Sequence, residues 1–183
     1  MTEPWQRSQP DEVTKVGWRT VTRKTFLAPD GNEYIYDTIG AVGAKTAAVI
    51  ALTPENKVVI AEQFRTGPER VLQELPGGAV DEGEDEVTAA LRELREETGY
   101  TSNDIVAIGM ANEDAYANHH HYFFLARNCQ KTHEQHLEEG ELIGVKLISI
   151  AELIDNAKHA NMTDAVAVLC AYDTLKEIMQ GGN

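Results

Sequence analysis

The chain has 183 residues, 42% hydrophobic and 25% charged, which supplies one sizeable core and excludes a disordered or fibrous polymer. Sixteen Lys and Arg face thirty Asp and Glu, a formal charge of −14, and no basic tract offers a footprint for a nucleic-acid backbone. The longest apolar run, near 46–52, is far short of the ~20 residues that span a bilayer. Residues 1–13 are polar, without an apolar leader segment, and Cys129 and Cys170 form neither a metal-type pair nor a disulfide framework. A cytoplasmic, reducing setting is expected, with no nucleic-acid or membrane partner.

In chain order, residues 1–12 read as a loose tail. Two alternating runs within 17–39 flank Ala28-Pro29-Asp30-Gly31, a tight-turn sequence, and predict an antiparallel hairpin. A lone hairpin is marginally stable in water, so it needs something to pack on. Strands follow at 47–52 and 57–64, joined by the turn-type cluster Thr53-Pro54-Glu55-Asn56, and at 71–75, ended by Pro76-Gly77-Gly78. A helix is predicted over 84–98, with Gly99 as its left-handed cap. Further strands are predicted at 105–110, 121–126 and 142–148. Ser149 with Glu152 suits a capping box for a short helix to 157. A last helix over 164–179 is expected to lay Ala165, Val168, Leu169 and Tyr172 on the core. Strands interleaved with three helices argue an α/β sandwich with a mixed β-sheet.

The chemistry concentrates in 78–100, GAVDEGEDEVTAALRELREETGY. Glu93, Glu96 and Glu97 stand at i, i+3 and i+4, within one stripe about 100° wide, while Val87, Leu91, Leu94 and Thr98 form a separate, mostly apolar stripe. One face docks on the sheet while its neighbour presents three acids. Carboxylates that close raise one another's pKa, and a hard divalent cation with oxygen ligands removes the conflict. From the helix alone, a solvated acidic face is the ordinary outcome. The glycine-rich approach to the helix and the spacing of its residues argue otherwise.

Gly78, five residues, Glu84, seven residues, Arg92-Glu93-Leu94, one residue, Glu96-Glu97, one residue, Gly99 resembles the signature of the Nudix hydrolases. With Leu94 left out of the count, seven fixed identities at ~1 in 15 each give odds near ~10⁻⁸ per starting point. Tyr100 stands where the signature is usually aliphatic, a departure that touches packing. Val58-Val59-Ile60-Ala61-Glu62-Gln63-Phe64-Arg65 and Glu74-Leu75-Pro76-Gly77-Gly78 are similar to the ADP-ribose and nucleotide-sugar branch of that family, and the likeness covers about 18–176. It implies a Nudix α/β/α sandwich at 43–183, preceded at 1–42 by an N-terminal tail and antiparallel β-hairpin or sheet that acts as a dimerisation arm. A homodimer whose N-terminal sheets exchange would give the hairpin its packing partner.

The resemblance further implies metal-dependent hydrolysis of a nucleoside diphosphate linked to another group, with Mg²⁺ as cofactor and Mn²⁺ as a substitute. Carried over by position, Glu93 and Glu97 are the principal metal ligands, Glu96 assists, and the carbonyl of Gly77 completes a coordination shell. Arg92 holds the glutamates by bidentate pairing, with Glu84 or Glu96 as partner. Arg65, with Glu74 and Gly78, lies on the substrate side, and Arg65 reaches the diphosphate. The general base falls in Glu138-Glu139-Gly140-Glu141, with Glu139 first and Glu141 second. Metals and Arg65 must invert the local field of a −14 protein before it can hold an anionic diphosphate.

Other features carry less. His119-His120-His121 lies on a predicted strand, where adjacent side chains alternate faces and cannot all reach one ion, which leaves substrate contact by one of them. Trp18, Phe26, Tyr34 and Tyr36 read as sheet packing. For the substrate, ADP-ribose-selective members resemble one another in a proline about fifteen residues past the signature, and 111–121 contains none. Tyr116 stands in that window, a residue type associated with dinucleoside polyphosphate hydrolases of the family. The upstream blocks cover more chain and favour nucleotide sugars, ADP-ribose ahead of GDP-mannose, with dinucleoside polyphosphates second and a non-catalytic nucleotide sensor as the alternative class.

Overall fold

The computed structural model describes residues 3–181. The chain divides into two units: Met1–Ala44 with Asn112–His120, and Lys45–Ala111 with His121–Asn183.

The first unit is built on a four-stranded antiparallel sheet of β1 (Gln6–Arg7), β2 (Glu12–Val16), β3 (Arg19–Leu27) and β4 (Glu33–Ile39). β2 takes the Arg19–Arg23 half of β3, β1 takes Phe26–Leu27, and β4 covers 21–27 along the opposite edge. The expected hairpin is thus β3–β4, its turn closed by Gly31 N–H donating to the Ala28 carbonyl at 3.0 Å and Asn32 N–H donating to Asp30 at 2.9 Å. The tail expected to be loose instead contributes β1 and β2. Val13 and Val16 are too few to announce a strand, and it is the two-residue turn Gly17-Trp18, with Gly17 at φ 61°, that folds β2 onto β3. Tyr34 and Tyr36 pack with Trp5, the Trp5–Tyr34 rings lying 5.0 Å apart, and Phe26 packs on Tyr36, whereas Trp18 stays exposed beneath the Arg19 guanidinium.

The second unit contains β5 (Lys45–Leu52), β6 (Lys57–Arg65), β7 (Arg70–Glu74), β8 (Gly77–Ala79), α1 (Glu86–Thr98), β9 (Tyr100–Thr101), β10 (Asp104–Asn112), β11 (His120–Arg127), β12 (Gln130–Lys131), β13 (Ile143–Ser149), α2 (Ile150–Lys158), α3 (Ala165–Cys170) and α4 (Tyr172–Met179). Its mixed seven-stranded sheet runs β10-β11-β5-β6-β13, with β7 also paired to β6 and β8 to β5. Period-2 alternation splits the core between two faces. Ala48, Ile50, Leu52, Val58, Ile60, Phe123 and Leu125 pack against α2, α3 and α4, while Ala47, Val49, Ala51, Val59, Phe124 and Ala126 pack against Ala89, Ala90 and Leu94 of α1. Helix, sheet, helix is the expected layering.

Two helices differ from the expectation. α1 starts at Glu86 rather than near 84, because the Asp85 carboxylate caps it by accepting from Thr88 N–H at 2.7 Å while Glu84 turns toward Arg92. The last helix is two, broken at Ala171, and its buried stripe is Ala167, Val168, Ala171 and Leu175, with Leu169 and Tyr172 exposed. Asp164 explains the rotation. Its buried carboxylate accepts from Leu75 N–H at 3.1 Å and Thr163 Oγ1–H at 3.0 Å, which pins the start of α3 and brings small alanines onto the sheet.

Candidate active site

Two glycines and one helix face make the site. β8 lies directly against β5, Gly77 opposite Ala48 and Gly78 opposite Ala47. A Cβ on Gly77 would strike the Ala47 carbonyl, and one on Gly78 would strike the Glu93 carboxylate. Glycine is thus needed at Gly77, where the obstacle is backbone, while at Gly78 it leaves room for the Glu93 carboxylate in its present position. Across this strap runs α1, and the strap's Gly77 backbone N–H donates to Glu97 Oε2 of the helix at 2.9 Å.

Glu93, Glu96 and Glu97 share the face that the helical spacing requires, but their environments differ. Glu97 is buried, 8% exposed, and burial pushes its carboxyl up to about 8, with the charges of Glu93, Glu141 and Glu74 adding and the Gly77 N–H opposing. Glu93 is half-buried and also raised, by burial first, with Glu96 and Glu141 adding and Arg92 opposing. Arg92 is the organiser. Its Nε and Nη2 donate to the two oxygens of Glu84, both at 3.1 Å, its Nη1 donates to Glu93 at 2.8 Å and Glu96 at 3.3 Å, and Nη2 also reaches the Ala79 carbonyl at 2.9 Å. That planar fork raises the arginine's own pKa and holds Glu84 below the usual carboxylate range.

Arg65 ends β6 and donates through Nε and Nη2 to both oxygens of buried Glu74 on β7, and the charges of Glu97 and Asp164 bear on it. The pair sits on the α1 side of the sheet, since Glu74 faces Ala61 across the strands. Of the two loop acids, Glu139 is exposed at the corner of a turn whose third residue, Gly140, has φ 91°. Glu141 is half-buried, accepts from Glu138 N–H at 2.8 Å, and its charge is felt by both Glu93 and Glu97.

The donor set suits a hard divalent cation: one buried and one half-buried carboxylate, both raised by burial and by their neighbours' charges, beside a backbone stripped of side chains. Among the described residues, no three His, Cys, Asp or Glu side chains converge as a ready cluster. In the structure Glu93 engages Arg92 through Oε1 and Glu97 engages Gly77 N–H through Oε2. The histidines lie elsewhere: His119 pairs with Glu113 at 2.8 Å, His120 with Asn112 at 3.0 Å, and the His121 ring packs on Phe123.

The sequence model of the NUDIX domain matches residues 43–168. The chain belongs to the Nudix family. It is 32% identical over 155 residues to the ADP-ribose pyrophosphatase of Bacillus subtilis (strain 168), covering 83% of each chain. It is 31% identical over 155 residues, again 83% of each, to the methanol dehydrogenase activator of Bacillus methanolicus. An ADP-ribose pyrophosphatase of Saccharomyces cerevisiae is 32% identical over 104 residues, 51% of this chain and 45% of that one. The crystal structure of an ADP compounds hydrolase superposes with a TM-score of 0.79 over 96% of both chains at 17% identity, a likeness of fold. As a Nudix protein with these relatives, the chain is a hydrolase of the ADP-ribose pyrophosphatase-like kind. Nudix enzymes act on small nucleotides and generally use divalent metal ions. No helix among the described residues is long and apolar enough to cross a membrane.

Two residues of the site escaped the sequence. Asp164 anchors the strap at Leu75, and Gln135 donates to the Glu97 carbonyl at 2.6 Å and the Ile143 carbonyl at 3.1 Å. Neither lies in the Nudix signature, and no local pattern announces a contact between residues 38 or 89 positions apart.

Proposed function

We propose that this Nudix protein hydrolyses the diphosphate of ADP-ribose in a Mg²⁺-dependent reaction, with water as co-substrate and AMP and ribose 5-phosphate as products. Mn²⁺ would substitute. The observation that carries the reading is the raised, buried Glu97 carboxyl beside Glu93 and the bare Gly77–Gly78 backbone. Glu93 and Glu97 would hold the metal, Glu96 would assist, and the Gly77 carbonyl would complete the set. When bound, a divalent cation supplies neutralisation of the diphosphate oxygens and a lowered pKa for water.

The chain's own residues do the rest. Arg92 keeps Glu93 and Glu96 facing the strap while Glu84 anchors the arginine from the loop before α1. Arg65 spends Nε and Nη2 on Glu74 and turns Nη1 toward a diphosphate oxygen, so Glu74 works behind Arg65 rather than on the substrate. Gly78 leaves room for Glu93. Glu141 takes the proton of the attacking water as it adds to phosphorus and the bridging P–O bond breaks; its charge reaches both proposed ligands, which Glu139 at the turn corner does not match. A homodimer through the N-terminal sheet is part of the reading, supported by the exposed Val13, Trp18 and Ile35 of the first unit.

ADP-ribose ranks first because two relatives bear that activity in their names. The test is a panel of ADP-ribose, GDP-mannose and a diadenosine polyphosphate with Mg²⁺, scored by mononucleotide release. Fastest release from ADP-ribose is expected. Fastest release from the dinucleoside compound would move the assignment there, and silence with ligand-induced thermal stabilisation would indicate a sensor.

A further inference from the structure

The loop that carries Glu141 faces an electrostatic difficulty. The loop carries Glu138, Glu139 and Glu141, and Glu141 adds to the charge crowding at Glu93 and Glu97. Like charges push such a loop outward, so something must hold it in place.

The C-terminal end of α1 supplies the anchorage. A helix leaves its last four carbonyls without intrahelical partners. Here Gly99 N–H takes Arg95 O at 2.8 Å, His136 N–H takes Glu96 O at 2.8 Å, and the Gln135 amide takes Glu97 O at 2.6 Å. Thr132 and His133 N–H both reach Gly99 O, at 3.0 and 3.1 Å. The second N–H of the same Gln135 amide reaches Ile143 O at 3.1 Å, at the first residue of β13. One side chain therefore closes the neck of the 136–142 excursion and ties it to the backbone of Glu97.

We propose that Gln135 is a positioning residue: it clamps the 136–142 loop to α1 and so sets Glu141 against the proposed metal ligands. The inference rests on the metal-dependent reading above. A helix cap alone would lower stability and leave turnover untouched. A clamp predicts a selective loss, because Glu93 and Glu97 are carried by α1 itself, whereas Glu141 depends on the loop.

Gln135→Met keeps the volume and removes both donors, and Gln135→Lys restores a donor. For Gln135→Met the expected result is a fall in kcat of at least tenfold on ADP-ribose, with KM and the Mn²⁺ Kd, read by spin resonance of free Mn²⁺, within twofold of wild type. Hydrogen exchange at His136, Glu138 and Glu141 should accelerate at least tenfold while the amides of 90–94 in α1 keep their protection. Gln135→Lys should return kcat to within threefold. Wild-type kcat in Gln135→Met, a Mn²⁺ Kd that weakens in step with kcat, or exchange that rises equally through α1 would each overturn the clamp. A wild-type protein that binds Mn²⁺ but leaves ADP-ribose intact would instead overturn the substrate reading, and the exchange pattern would still decide the role of Gln135.

Discussion

Replacing Glu97 by Gln should make the metal-free protein more stable while removing its activity. The carboxyl sits at about 8 in the fold against 4.5 for an ordinary glutamate. Between those values the folded chain holds a proton that the unfolded chain has released, so the stability of metal-free protein falls as pH rises from 4.5 to 8. At 1.36 kcal/mol per pH unit the penalty reaches about 3 kcal/mol at pH 7. Gln carries no charge and keeps an oxygen to accept from Gly77 N–H, so it escapes the penalty. For a chain of this size the gain corresponds to roughly 6–12 °C in Tm. The assay is thermal unfolding of both proteins in EDTA at pH 4 and pH 7, with turnover measured in Mg²⁺ alongside. The two curves should nearly coincide at pH 4 and separate by pH 7, and Glu97→Gln should lose at least two orders of magnitude in kcat. Coincident curves at both pH values, or a less stable mutant at pH 7, would refute the reasoning.

Related outcomes follow from the same geometry. Mg²⁺ should raise the Tm of wild type more at pH 8 than at pH 5, because binding displaces the proton from Glu97; calorimetric scans at the two pH values check this. Gly78→Ala should keep the fold, since that backbone has no left-handed φ, yet displace the Glu93 carboxylate and weaken Mn²⁺ affinity about tenfold or more, read by titration. Arg92→Lys cannot reproduce contacts to Glu84, Glu93, Glu96 and Ala79 together, and kcat should fall by about 10–100-fold in steady-state assays. Asp164→Ala leaves the buried Leu75 N–H without an acceptor and should cost about 1–3 kcal/mol in urea unfolding, whereas Asp164→Asn retains the acceptor and most of the stability.

Much of this site was legible in the sequence because it is local. Helical spacing alone puts Glu93, Glu96 and Glu97 on one face, Gly99 ends α1 with φ 77°, and alternation in 47–52 and 57–64 separates the two core faces. The illegible parts depend on distant partners. The β2 strand exists because β3 offers it an edge, and the last helix turns its alanines inward because Asp164 is tied to Leu75. The Arg65–Glu74 pair was visible as two site residues but not as a couple, since only the β6–β7 register brings them together. The sequence ranks Glu139 ahead of Glu141, and their different surroundings, Glu139 exposed and Glu141 half-buried with its charge bearing on Glu93 and Glu97, depend on the loop's placement beside α1.

In the proposed reaction the carboxylates of α1 act as metal ligands for hydrolysis of a bound diphosphate. Anomalous scattering at the manganese edge, from crystals soaked with Mn²⁺ and a non-hydrolysable ADP-ribose analogue, tests it most directly. The predicted result is a manganese peak bonded to Glu93 and Glu97 and to the analogue's phosphate oxygens. A bound analogue with manganese held by other residues, and Glu93 and Glu97 still on Arg92 and Gly77, would contradict it.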